Sequence, residues 1–298
     1  MSIFVAAVES GSFSAASRKL DVPLPTVSRK VSELEAHLKT RLLLRSTRKL
    51  ALTDAGTAYL AACRRILDEV ANAERTAAGE YAAPRGDLVL TAPIVFGRLH
   101  VLPLVCDFLA RFPEINVRLV LSDRNVQLVD DQIDLALRIG ALPDSSLVAT
   151  RVGAVNHVVC ASPEFLAAHG TPKTPEDLQQ LPCVTFDAIS GGPAWTFASP
   201  DGGRNHSINV RVRLSVNTAE AAVDAATAGV GVTRVLSYQA ARAIEEGKLK
   251  RVLRKFEPDA LAVSLVHAGQ GHLPLKLRAF LDFAAPRLKA LLGDRNRA

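Results

Sequence analysis

Apolar residues near the start of the chain recur at steps of three and four, the spacing of one helical face. Ser12 precedes Phe13, Ala16 and Leu20, which predicts a helix opened by a serine N-cap. Asp21-Val22-Pro23 interrupts it, and a second helix follows through Val27, Val31, Leu34 and Leu38. The face opposite that stripe carries Thr26, Arg29, Lys30 and Glu33. Two short helices joined by a tight turn, the second with a basic outer face, predict a helix-turn-helix. The stretch Thr40 to Leu52 reads as two short strands, about Leu43–Arg45 and Lys49–Leu52, around Ser46-Thr47-Arg48. That is a β-wing whose tip carries Arg45, Arg48 and Lys49.

A long helix is predicted over 53–82, with Thr53 as its N-cap and Asp54 placed to suit the helix dipole. Along it Tyr59, Cys63, Ile66, Val70, Ala73 and Ala77 alternate steps of four and three, an a/d-type seam. Such a seam packs on a second copy of the chain or on the winged module. The first reading makes Tyr59, Cys63, Ile66 and Val70 a dimerisation surface. The helical pattern breaks at Pro84-Arg85-Gly86, and short apolar runs then alternate with amphipathic helices to the end. Strands are predicted at Leu88–Thr91, Ile115–Leu121, Ile133–Arg138, Val155–Ala161, Cys183–Phe186, Val210–Val216, Gly231–Thr233 and Leu261–His267. Helices are predicted at Gly97–Phe112, Pro163–His169, Ala219–Ala228, Ser237–Glu245 and Leu275–Leu292. This alternation predicts an α/β fold with a largely parallel sheet, and its length predicts two lobes.

Charge changes the picture through its location. The net charge is +6, and residues 1–52 hold nine Lys/Arg against four Asp/Glu, so nearly all the excess sits in the first sixth of the 298 residues. A local basic module on a near-neutral body points to a polyanion partner. Hydrophobic residues make up 48% of the chain, enough for a sizeable core. No apolar run is long enough to cross a bilayer, and the N-terminal MSIFVAAVESGSF has no basic n-region, so no membrane role and a cytoplasmic location are expected. Cys63, Cys106, Cys160 and Cys183 are scattered without zinc-finger spacing, and each reads as a small buried residue. The seven histidines show no ligand spacing, so no metal and no cofactor is expected.

Several local motifs point the same way. Glu9-Ser10-Gly11-Ser12-Phe13, Ala15-Ala16, Leu20, Val22, Val27-Ser28-Arg29, Leu34-Glu35, Arg41-Leu42, Arg45, Leu52-Thr53 and Ala55-Gly56 stand in helix, turn, recognition-helix and wing positions. On these, residues 3–56 closely resemble the DNA-binding domain of LysR-type transcriptional regulators. Phe112-Pro113, Asp134-Leu135-Ala136-Leu137-Arg138-Ile139-Gly140, Ala161-Ser162-Pro163 and Gly229-Val230-Gly231-Val232 extend the resemblance more weakly into the C-terminal part. The resemblance implies an α/β protein with an N-terminal all-α winged helix-turn-helix. Its C-terminal part would be a two-lobed, periplasmic-binding-protein-like α/β domain. It implies a DNA-binding domain over 1–53, a linker helix and hinge over 54–86, and an effector-binding domain over 87–298. Lobe I would be about 87–161 with 268–298 and lobe II about 162–267, joined by crossing strands near 157–163 and 262–268. One departure is Pro23-Leu24-Pro25, where many members have Gln at the position of Leu24, which removes a Gln-type adenine contact.

The expected function is sequence-specific DNA binding controlled by a small molecule held between the two lobes. Thr26, Arg29 and Lys30 would face the major groove, with Arg29 on a base edge or phosphate. Ser28 would bond a phosphate or the local backbone. Lys19, Arg45, Arg48 and Lys49 read as phosphate contacts. A homodimer or homotetramer would need an interrupted inverted repeat in double-stranded DNA. Ligands of open α/β folds bind at strand C-termini. The effector candidates are therefore Ala92, Pro93, Ile94, Arg138, Gly140, Thr185, Phe186, Asn217, Thr218 and Thr233, with Arg234 beside the last. Thr218 also reads as a plain N-cap, Phe186 as core, and Arg138 as either a carboxylate-binding group or a structural ion pair. An anionic effector is one expectation. No GxSxG elbow, P-loop or HExxH is present, so no catalytic residue is expected. The alternatives are a cytoplasmic solute receptor or an enzyme on the same two-lobed fold, neither with a DNA role.

Overall fold

The computed structural model describes residues 1–45, 50–77, 83–124, 128, 131–142, 147–186, 194–200, 202–269 and 273–295. It divides into two compact units, Met1–Gly86 and Asp87–Ala298.

The first unit opens with three helices, α1 (Ser2–Glu9), α2 (Phe13–Leu20) and α3 (Leu24–Leu38). Ser12 accepts a hydrogen bond from the Ala15 N–H at 3.1 Å and starts α2. Asp21, in the left-handed region at φ 52°, ends it. Pro25 sits in the first turn of α3, where a missing N–H costs little. The antiparallel pair β1 (Leu43–Arg45) and β2 (Leu50–Leu52) follows, then α4 (Asp54–Ala77). Phe4, Val31, Leu42, Leu43, Leu60 and Cys63 form one core, and Ala6, Ala7, Ala16 and Val27 a second beside it. The stripe read from steps of four, Val27 and Val31, is the buried face of α3.

The hairpin and α4 are also fastened by polar contacts. The Glu35 carboxylate accepts from the Leu42 and Leu43 N–H groups at 2.8 and 3.0 Å. The Thr53 hydroxyl donates to the Arg41 carbonyl at 2.8 Å and accepts from the Gly56 N–H at 2.9 Å. Gly56 has no side chain because a Cβ there would stand 2.0 Å from the Leu42 carbonyl oxygen.

The second unit begins β3 (Gly86–Ala92), α5 (Ile94–Phe96), a π-helical turn Gly97–Val101 and α6 (Leu102–Arg111). It continues β4 (Ile115–Leu121), β5 (Leu135–Ile139), β6 (Leu147–Val155), β7 (His157–Ala161) and α7 (Pro163–His169). After a 3-10 turn at Pro175–Gln179 come β8 (Cys183–Phe186), β9 (Ala194–Phe197), β10 (His206–Asn209) and β11 (Val212–Val216). Next are α8 (Ala219–Thr227), β12 (Val232–Leu236), α9 (Ser237–Glu245) and β13 (Lys250–Val252). A 3-10 turn at Arg254–Phe256, β14 (Leu261–Ala268) and α10 (Leu275–Arg295) complete it.

These strands make two five-stranded sheets, β4-β3-β5-β14-β6 and β11-β8-β12-β7-β13, one per lobe, plus the antiparallel hairpin β9–β10. Both sheets are mixed, which corrects the expectation of a largely parallel one. β3 runs parallel to β5, and β8 parallel to β11 and β12, but β14 is antiparallel to both its neighbours and so is β7. The lobe boundaries also need correction. The run 155–161 is not one strand: β6 ends at Val155 in the first sheet, Asn156 crosses, and β7 begins at His157 in the second. The chain returns between Phe256 and Leu261, so β14 belongs to lobe I from its first residue. Lobe I is thus 87–155 with 261–295, and lobe II is 157–256. Each crossing lies just ahead of the strand expected to carry it.

Candidate nucleic-acid interface and effector site

The outer face of α3 is charged and solvated. Arg29 Nη1 donates to Glu33 Oε1 at 2.9 Å and Lys30 Nζ to Glu33 Oε2 at 3.0 Å, with all three side chains about half exposed. These two cations hold the Glu33 carboxyl below its usual range, the Lys30 hydrogen bond contributing most. Thr26 and Ser28 are half-buried at the N-terminal end of the same helix. The structure therefore brings Thr26, Arg29 and Lys30 together along one helix, with Glu33 as their shared counter-ion. A carboxylate that pairs with both cations in the free protein is displaced when phosphate takes them.

Lys19 stands apart from that face. Its Nζ lies 3.5 Å from Glu9, and the same carboxylate accepts from Arg64 Nη2 at 3.2 Å. Glu9 thus ties α2 and α4 to α1. The motif Glu9-Ser10-Gly11-Ser12-Phe13 marked the position but not this role, since Arg64 is 55 residues away. Arg45 lies in β1, while its side chain and all of Arg48 and Lys49 fall outside the described residues.

The expected dimer seam divides in two. Cys63 is fully buried and Tyr59 is half-buried against Phe4, ring centroids 5.7 Å apart, within the winged module itself. Cys63 therefore has no surface to offer a second copy, which corrects its place in that seam. Ile66 and Val70, one and two turns on, are 42% and 47% exposed. Cys106 is a second correction: it is exposed on α6, whereas Cys160 and Cys183 are buried and their thiols pushed up to about 12 by burial.

In the second unit the strand-end candidates separate by burial. Ala92, Thr185 and Thr233 are buried, and the Thr233 hydroxyl donates to the Val184 carbonyl at 3.0 Å. Thr233 therefore has no free face in this conformation. Pro93 and Ile94 are partly exposed at the start of α5, and the Ile94 N–H donates to the Asp123 carboxylate at 3.0 Å. Asp123, which sequence reasoning missed, so occupies the position an anionic ligand would take at that turn. Arg138 is half-buried, and burial lowers its pKa. Gly140, at φ 106°, turns the chain after β5, a conformation few side chains adopt. Phe186 is half-buried against the main core, Asn217 is exposed, and the Thr218 hydroxyl caps α8 by accepting from Ala221 N–H at 3.3 Å.

The two lobes meet where α5 and the π-turn face α8 and α9. The Phe96 and Tyr238 rings meet edge to face at 5.2 Å, and Arg98 pairs with Glu220. Burial pushes the Tyr238 phenol up, and the charge of Asp123 adds to the shift. A polar cluster of Asp123, Tyr238 and Gln239 thus lies at the seam between lobes, next to Pro93 and Ile94.

A winged helix-turn-helix followed by a two-lobed α/β unit, with polar groups gathered where the lobes meet, is the build of a ligand-responsive transcriptional regulator. The family models agree. Residues 1–57 match the bacterial regulatory helix-turn-helix protein of the lysR family, and residues 82–289 match the LysR substrate binding domain. The chain is 34% identical to the transcriptional regulator CrgA of Neisseria meningitidis, over 97% of this chain and 96% of that one. It is 32% identical to the probable transcriptional regulator LtrA of Klebsiella pneumoniae, over 98% and 94% of the two chains. The solved structure of CrgA superimposes with a TM-score of 0.62 at 32% identity, covering 96% of this chain and 97% of that one. That of the Vibrio cholerae virulence activator AphB gives 0.61 at 27%, covering 95% and 96%. The chain belongs to the LysR family: it is a transcriptional regulator with a helix-turn-helix DNA-binding domain and a C-terminal effector-binding domain.

Proposed function

We propose that the chain acts in the cytoplasm as a homodimer or homotetramer that binds an interrupted inverted repeat in double-stranded DNA and changes activity when a small effector settles between its lobes. The observation that carries this reading is the solvated face of α3, where Arg29 and Lys30 share one exposed carboxylate while Val27 and Val31 are buried behind them. A helix anchored on one side and cationic on the other enters a major groove without rearrangement. Arg29 supplies a base-edge or phosphate contact, with Thr26 and Lys30 beside it. Lys19, Ser28, Arg45, Arg48 and Lys49 set position on the phosphates. On the sensing side, Pro93, Ile94, Arg138, Gly140, Phe186, Asn217 and Thr218 are the candidates with exposed or partly exposed surface. No catalytic residue is assigned, in keeping with relatives that are named as regulators.

A gel-shift with DNA upstream of the gene and its divergent neighbour tests the reading. The expected result is a salt-sensitive shift that resists competitor DNA. Arg29→Ala should weaken binding to that site by about tenfold or more, and to random DNA by less, if Arg29 reads a base. Equal loss on both DNAs would make Arg29 a phosphate contact. No shift at any neighbouring promoter would overturn the proposed inverted-repeat operator.

A further inference from the structure

Lobe II holds a half-buried guanidinium with no acid beside it among the described residues. Arg234 lies in the middle of β12, opposite Val159 of β7, and His157 lies two residues away opposite Leu236. Residues two apart share a face of a sheet, so both side chains lie on the side covered by the hairpin β9–β10. There Arg234 Nη1 donates to the Thr196 carbonyl at 3.2 Å, and its Cζ stands 6.0 Å from the centre of the Phe197 ring. Among the described residues no carboxylate pairs with Arg234. The Glu176 carboxylate stands 3.4 Å from His206 Nε2, and the His206 ring lies beside Phe197.

Such an arrangement runs against the usual rule. An arginine stays charged at any physiological pH, and a buried charge is ordinarily paired. Burial lowers the Arg234 pKa to about 10, so the group is still a cation at neutrality. Beside it, His157 Nδ1 is buried with no hydrogen-bond partner. Its imidazole is pushed down to about 4, by burial first and by the Arg234 charge second, and so is neutral. A guanidinium with unused N–H groups and a neutral imidazole with an idle nitrogen lie on one face of the lobe II sheet. The position is also mechanically informative. His157 directly follows the crossing residue Asn156, whose carbonyl accepts from the Ser237 N–H at 2.8 Å at the end of β12.

We propose that Arg234 and His157 form a carboxylate-binding site in lobe II, taking a small organic acid as its ligand. The guanidinium binds the carboxylate through the N–H groups that Thr196 does not use, and the His157 ring, as the Nδ1–H tautomer, donates to the same anion. Thr196 and Phe197 hold the guanidinium in place on the other side. The proposal rests on the effector-binding role of the C-terminal unit and is independent of what the DNA-binding domain reads.

Trp195 is the single tryptophan of the chain and precedes Thr196, so its emission reports on this hairpin. The test titrates the full-length protein with acetate and benzoate, and with acetamide and benzamide as neutral isosteres, following Trp195 emission and thermal stability. A saturable change with the acids and none with the amides is expected. Arg234→Gln should weaken acid binding by about tenfold or more, the loss of a charge-assisted bond. Arg234→Lys, which keeps the charge but not the fork, guards against a folding defect and should bind severalfold more weakly than the native protein. Arg242→Gln, at an exposed arginine of α9 paired with Glu246, should bind as the native protein does. Equal binding of acids and amides, unchanged affinity in Arg234→Gln, or no saturable response to either acid would each overturn the site. Loss confined to Arg138→Gln would move the acid site to lobe I and leave the regulator reading intact, which the gel-shift tests separately.

Discussion

At position 56 a single methyl group decides whether the winged module can close. Its Cβ would sit 2.0 Å from the Leu42 carbonyl oxygen and 3.1 Å from the Leu52 side chain. The carbonyl cannot yield, because it already accepts from the Thr53 N–H at 3.0 Å. Gly56→Ala should therefore destabilise the first unit by about 2 kcal/mol or more, the range of an overpacked buried site. Urea denaturation of the full-length protein checks it, and an unchanged midpoint would show that α4 shifts freely. The resemblance already placed Ala55-Gly56 at the start of the linker helix, but not the reason, because the clash is with a carbonyl fourteen residues earlier. The same limit hid Asp123 and the role of Glu9, whose partners lie far along the chain. Arg29 and Lys30 were legible because helical spacing alone sorts a solvated face from a buried one.

Among the elements, α4 has two uses along its length. Its first three turns complete the winged core through Leu60 and Cys63, while Ile66 and Val70 continue the same seam into solvent. Paired substitution Ile66→Glu with Val70→Glu should shift the protein toward monomer in sedimentation velocity while leaving its helix content unchanged. Unaltered assembly would place the self-association elsewhere. Sequence periodicity revealed this seam but not where its task changes, since the a/d pattern is the same whether the partner is a core or a copy. The strands show the complementary failure. β3, β4, β5, β8, β12 and β14 were read because each is an apolar run. β6 was missed because Val148, Ala149 and Arg151 are exposed and blur its alternation, and β13 because it has three residues. β9 and β10, four residues each with Thr, His, Ser and Asn among them, carry too little apolar signal. Strand direction was invisible for a different reason: alternation sets which side chain faces inward but not which strand lies alongside.

For the whole molecule, charge and titration separate the two tasks. Nearly all the basic excess sits in the first 52 residues, so DNA affinity should fall steeply with salt while acid binding in lobe II, a one-charge event, falls little. Global stability carries a pH signature from the second unit. His157 is neutral in the fold with its pKa near 4, while the unfolded chain takes the proton near 6.5. The unfolded state therefore binds more protons between these values. The contribution of this group is complete above pH 6.5 and is lost as pH falls toward 4, by roughly 3 kcal/mol at most. Thermal melts of the native protein should lose stability over that window, and His157→Gln should lose less. Identical slopes would mean that His157 protonates in the fold without cost. Phe96 against Tyr238 and Arg98 against Glu220 hold the lobes together across a seam of mixed character.

Because lobe I takes its fourth strand in spatial order from β14, the chain cannot finish it in the order in which it is synthesised. β5 and β6 leave the ribosome with open edges that only residues 261–268 can fill. Lobe II, whose strands run from His157 to Val252, is complete first. The DNA-binding module precedes both. A nascent chain therefore passes through a stage with a finished reading head and an unfinished sensor, whose unpaired edges invite aggregation until the last forty or so residues emerge.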